Sequence, residues 1–125
     1  MNTNALRELI ASRLNTTTGA TWYRLATDKS HYPYKVYDLG PMVFRHAGRY
    51  DYTLTVDIYD RHADLDHTAI EALADQVQDL FLEQVNLPQQ TILPTFWLED
   101  RQPVDDPDVE LQRIQLRFTV QVYDV

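Results

Sequence analysis

The sequence contains no cysteine, which excludes a disulfide framework, a thiol nucleophile and a thiolate metal site. Glycine is nearly as scarce, with three in 125 residues, too few for a glycine-rich loop that cradles a phosphate. Cations are in the minority: 11 Lys and Arg stand against 19 Asp and Glu, for a net charge of −8 and a pI near 4.7. Binding nucleic acid by phosphate neutralisation needs clustered Lys and Arg, and this composition argues against it. The same charge suits a wall that DNA slides past, because repulsion prevents sticking. It also serves plain solubility. No apolar run is long enough for a membrane span, and neither a span nor a signal peptide is expected.

What is present is alternation. From Gln112 to Tyr123, Ile114, Leu116, Phe118, Val120 and Val122 alternate with Arg113, Gln115, Arg117, Thr119 and Gln121. Side chains on a strand point to opposite faces with period two, so one face is apolar and the other wet. At about 3.3 Å per residue this strand spans roughly 40 Å. It needs a partner strand and an apolar cover.

Tyr50 to Tyr59 supplies the partner, with Tyr52, Leu54, Val56 and Ile58 alternating against Asp51, Thr53, Thr55 and Asp57. If the two pair, Asp and Thr of one lie beside Arg and Gln of the other. The cover begins at Thr68-x-x-Glu71, a capping-box pattern, followed by an apolar stripe at Ile70, Leu73, Ala74, Val77, Leu80 and Phe81. A helix of about 19 residues running to Pro88 is roughly 28 Å long.

The remainder reads as flanking elements. Leu6, Leu9, Ile10 and Leu14 mark a short N-terminal helix that stops by Gly19. Trp22–Ala26, Tyr32–Leu39 and Thr91–Glu99 read as strands, and Asp100–Pro107 as a loop. Met42–Arg49 fits a short edge strand or, preferably, a loop carrying Arg45, His46 and Arg49. The expected architecture is one α+β domain over residues 1–125. Its mainly antiparallel sheet of four or five strands is covered by one long helix and the short N-terminal one.

Two acidic clusters invite chemistry. Asp60, His62, Asp64, Asp66 and His67 fall within eight residues, but their spacing matches neither a helical His pair nor a calcium loop. Carboxylates there favour the positive end of the following helix. Asp105, Asp106, Asp108 and Glu110 crowd together, which raises one another's pKa. The sequence around them offers no nucleophile and no oxyanion donor, so a solvated loop or an oligomer contact is the better reading. The four histidines are scattered and no Gly-x-Ser-x-Gly turn exists. Neither a catalytic residue, a metal nor a cofactor is assigned. Eight tyrosines and two tryptophans suit sheet and core positions and also protein interfaces.

Three segments in succession resemble the bacteriophage tail terminator, or tail completion, family. The first is Trp22-Tyr23-Arg24-Leu25-Ala26 followed by Tyr32-Pro33-Tyr34-Lys35-Val36-Tyr37. The second runs Tyr52-Thr53-Leu54-Thr55-Val56-Asp57-Ile58-Tyr59-Asp60 into the helix at Ile70-Glu71-Ala72-Leu73. The third is Phe96-Trp97-Leu98-Glu99-Asp100-Arg101, then Asp105-Asp106-Pro107, then Gln112 to Phe118. Met42–Arg49 has no counterpart in the pattern.

The resemblance implies a non-enzymatic virion protein that forms a homo-hexameric ring, caps the tail tube and stops its growth. Its expected partners are copies of itself, the tail tube protein and a head–tail connector protein, with DNA only as passing cargo and no membrane. Its expected location is the virion tail or neck, and the host cytoplasm during assembly. Arg45, Arg49, Asp105, Asp106, Asp108 and Arg113 are the candidate contact residues. The alternatives are another neck or head-closure adaptor, or a small metal-dependent enzyme using His62, Asp64 and His67.

Overall fold

The computed structural model describes residues 3–45, 48–82 and 92–124. In chain order these form α1 (Thr3–Leu14), β1 (Ala20–Tyr23), β2 (Tyr34–Leu39), β3 (Val43–Phe44), β4 (Arg49–Arg61), α2 (Thr68–Leu82), β5 (Ile92–Pro103) and β6 (Leu111–Asp124). The strands make one six-stranded sheet ordered β1-β2-β4-β6-β5, with β3 on the edge of β4. The architecture is α+β.

The alternating strands pair as their pattern demands. β4 and β6 run antiparallel in unbroken register from Arg49 opposite Tyr123 to Arg61 opposite Leu111. Leu54, Val56 and Ile58 lie opposite Phe118, Leu116 and Ile114, and all six are buried. Burying each such side chain stabilises the fold by about 1.5–3 kcal/mol relative to exposure. The odd-numbered partners lie on the opposite face, where Asp57 faces Gln115 and Thr55 faces Arg117.

Both helices pack their apolar stripes into the one core cluster. α1 buries Leu6, Leu9, Ile10 and Leu14; α2 buries Ile70, Leu73, Ala74, Val77 and Phe81. Phe81 packs at 4.9 Å from Phe96 and 5.4 Å from Phe118, centroid to centroid, adding about 0.5–1.5 kcal/mol per pair beyond area burial. The other sheet face carries neither helix.

The structure corrects several boundaries. The sheet is mixed and six-stranded, because β1 lies parallel to β2. Alternation sets which face a side chain takes but is silent on strand direction, and the patternless link 24–33 returns the chain to the same end. β1 also lies earlier than Trp22–Ala26, since Arg24 has a positive φ of 66° and ends it. Within Met42–Arg49, where the sequence favours a loop, Val43 and Phe44 form an edge strand on Asp51 and Tyr50.

β5 runs on through Asp100–Pro103, expected to be loop. A bulge between Leu98 and Asp100 inserts one residue and exchanges the faces. Arg101 thereby turns to α2, at 2.5 Å from Glu71 and 2.7 Å from Asp75. α2 is described for 15 residues rather than about 19, and the expected stop at Pro88 lies outside the described residues.

The start of α2 also differs from the capping box. Thr68 donates both its N–H (2.9 Å) and its hydroxyl (2.7 Å) to the Asp66 carboxylate, while Glu71 is engaged by Arg101. These two bonds hold the Asp66 carboxyl below its usual pKa.

One polar side chain lies deep on the covered face. Lys35 is 0% exposed, and its Nζ donates to the carbonyls of Thr18 (2.8 Å) and Gly19 (3.0 Å). Gly19 has φ +89°, and a Cβ there would sit 2.2 Å from the Pro33 carbonyl oxygen. The turn that receives the lysine therefore requires glycine.

Candidate functional site

The six predicted contact residues separate into three places. At the β3 end of β4, Arg45 and Arg49 converge on Asp51. Arg45 Nε donates to Oδ2 at 3.0 Å; Arg49 donates through Nε to Oδ1 at 3.0 Å and through Nη2 to Oδ2 at 3.2 Å. Asp51 is only 8% exposed. Burial pushes its pKa upward, but the two guanidiniums outweigh it and hold the carboxyl below the usual range. Beside this pair Met42, Val43 and Phe44 stand exposed, with the Phe44 ring 5.4 Å from Tyr50. His46 lies outside the described residues.

At the opposite end of β4 lies the loop from β5 to β6. Asp105 and Asp106 are exposed. Asp106 accepts the Asp108 N–H at 2.9 Å, and Asp108 accepts the Glu110 N–H at 3.1 Å. Arg61 bridges Asp108 and Glu110, and the Arg61 hydrogen bond is the main cause that lowers the Asp108 pKa. Val109 projects outward between them, 72% exposed. Ten residues of strand separate Asp51 from Arg61, roughly 33 Å at 3.3 Å per residue. The two charged ends do not meet within one chain.

Arg113 belongs to neither end. It lies on the helix-free sheet face, where Nη2 and Nε reach Asp57 Oδ1 at 3.0 and 3.1 Å and Gln115 adds a bond at 3.2 Å. Its guanidinium sits 5.4 Å from the centre of the Tyr59 ring, which stacks on Tyr34 at 4.8 Å. Arg117 pairs with Asp100 on the same face. Trp97 stands there too, half exposed.

A cleft of about 370 Å³ opens between the start of α2 and the Tyr32-Pro33 loop, lined among others by Asp60, Arg61, His62, Leu73 and Gln76. Asp60 is buried and bonds His62 Nε2 at 2.9 Å. Its other oxygen accepts the Arg61 N–H at 2.9 Å. Neither serine nor cysteine lines this cleft, so the Asp60–His62 pair has no adjacent nucleophile of those types to activate. Among the described residues no three His, Asp or Glu side chains group as metal ligands. His62, Asp64 and His67 are therefore not brought together as a site.

Sequence reasoning missed the apolar component of the two charged ends. Val43-Phe44 and Val109 were legible only as short apolar breaks in polar stretches. Nothing in their spacing marks them as exposed.

No protein-family model matches the sequence, and comparison with curated protein sequences gives no match either. Among solved structures, the chain is similar to one in the virion of a native gene transfer agent (GTA) particle. The likeness has a TM-score of 0.58 at 14% identity and covers 92% of this chain and 84% of that one. At that identity it establishes a shared fold across nearly the whole length of both chains.

Proposed function

We propose that the protein is a structural component of a phage-like virion, and specifically a tail terminator. Its copies form a ring that caps the tail tube, stops tube polymerisation and offers a surface for head attachment. The observation that carries this reading is the end-to-end fold likeness to a virion chain. The succession of segments resembling tail terminators supports the finer assignment.

The chain's geometry is compatible with assembly. Opposite charge and exposed apolar side chains occupy two ends of the long β4–β6 pair, giving two different patches that can join in a head-to-tail contact. A net charge of −8 per copy lets DNA pass without sticking. Another neck adaptor shares this logic and differs in its place in the particle.

The test is native mass spectrometry over a concentration series, with electron micrographs of the same samples. Six copies of 14.7 kDa give a species near 88 kDa with ring-shaped particles. Particles lacking the protein should carry overlong tails. Tails of normal length that merely fail to join heads would assign it to the neck instead.

A further inference from the structure

We propose that the Met42–Arg45 tip of one copy docks on the acidic Asp105–Glu110 loop of the next. This rests on the ring reading above and assigns its interface. The tip combines three consecutive exposed apolar side chains, Met42, Val43 and Phe44 (60% exposed), with two guanidiniums sharing one carboxylate. The loop presents the complement. Val109 is the most exposed large apolar residue described, and it is set among four carboxylates, of which Asp108 and Glu110 share the Arg61 guanidinium.

The occupant of each surface is a second copy because charge and polarity match across the two ends. The ends lie roughly 33 Å apart along β4, so one chain cannot satisfy itself. A contact between two different patches is heterologous, and repeated by a fixed rotation it closes a ring or grows a filament. Burial of the exposed Phe44 ring against Val109 supplies the apolar contact. Arg45 facing Asp105 and Asp106 sets the orientation and speeds association at low salt.

The experiment uses two variants of the full chain. Phe44→Asp places a carboxylate on the tip against an acidic loop. Val109→Asp removes the loop's apolar anchor and opposes Phe44 with a carboxylate. Both side chains are exposed, so circular dichroism and melting should match the wild type. Each variant alone should self-associate at least tenfold more weakly. An equimolar mixture retains one intact tip and one intact loop, and should give a heterodimer that grows no further, read by native mass spectrometry.

A mixture that stays monomeric, or single variants that associate like the wild type, overturns the interface. Rings that persist in both variants would leave the ring reading standing with its contact elsewhere. Head-to-tail pairing as described, in a protein whose loss leaves tail length unchanged, would sink the terminator reading and keep the interface. A wild-type chain that is monomeric at every concentration overturns the interface as a property of the chain itself.

Discussion

The deepest charges on the two faces of the sheet are met in opposite ways. On the helix-covered face the deepest charge is Lys35, whose ammonium is met by two backbone carbonyls and by no carboxylate among the described residues. On the helix-free face Asp51, Asp57 and Asp100 are each met by guanidinium. Carbonyl dipoles satisfy a donor's hydrogen bonds but return little of the charge's lost hydration. Full counterions return more, and the open face is also wetter. The titration of the two sites diverges accordingly. Burial pushes the Lys35 pKa down to about 8, whereas Asp51 stays ionised below its usual range.

The sharpest break between the faces should come from adjacent residues on one strand. Leu116→Asp puts an unpaired carboxylate into the fully buried centre of the core, at a cost of several kcal/mol that is comparable to the stability of a small domain. Arg117→Ala, one residue on, removes an exposed ion pair with Asp100, worth about 0–1 kcal/mol. The expected outcome is an unfolded or insoluble Leu116→Asp chain beside an Arg117→Ala chain that melts near the wild type. A cooperative melt by Leu116→Asp within a few degrees of the wild type would overturn the assignment of faces.

This contrast also marks how far the sequence could be read. Period-two alternation fixed the faces of β4 and β6, and period-3.6 spacing fixed the buried stripes of both helices, because each is repeated over many residues. Features that depend on one residue were not legible. The bulge at Glu99 lengthens β5 by a single insertion, and alternation resumes after it with the faces exchanged. The parallel pairing of β1 with β2 depends on a loop with no apolar pattern. Lys35 stands in a strand like any solvent-facing lysine, and only the carbonyls of a turn 16 and 17 residues earlier reveal its side. At the candidate surfaces the charges were legible, as at Arg45, Arg49 and Asp105–Asp108. Their gathering onto two ends was not, since it requires the register of β4 on β6.

A second prediction turns on the covered face alone. Lys35 loses its proton near pH 8 in the folded chain but near 10.4 when unfolded. Between those values the unfolded state binds more protons, so stability rises with pH. Above about pH 10 the trend reverses, because burial is the first cause raising the pKa of Tyr34, Tyr37 and Tyr59 and keeps them neutral while the unfolded chain ionises. Urea titrations should show stability climbing from pH 8 to pH 10 by at most about 3 kcal/mol. Lys35→Met should abolish that climb. A slope that survives in Lys35→Met would assign it to other groups.

A smaller effect belongs to Asp51, where the charged form stabilises the fold instead of opposing it. Its folded pKa lies below the ordinary carboxylate value of 3.8, so its contribution is present at neutral pH and is lost as the solution is acidified through and below that value. Asp51→Asn keeps the shape and removes the charge that Arg45 and Arg49 share. The Arg45 side chain is 55% exposed and that of Arg49 30%, so water recovers much of what they lose. Screening discounts the pair to about 1 kcal/mol. A loss of that size, shrinking further in 1 M salt where the screening length is about 3 Å, is the expected result. A loss above about 3 kcal/mol that ignores salt would mean that the site is as dry as the one around Lys35. The distinction between the two faces would then rest on the choice of partner and not on access to water.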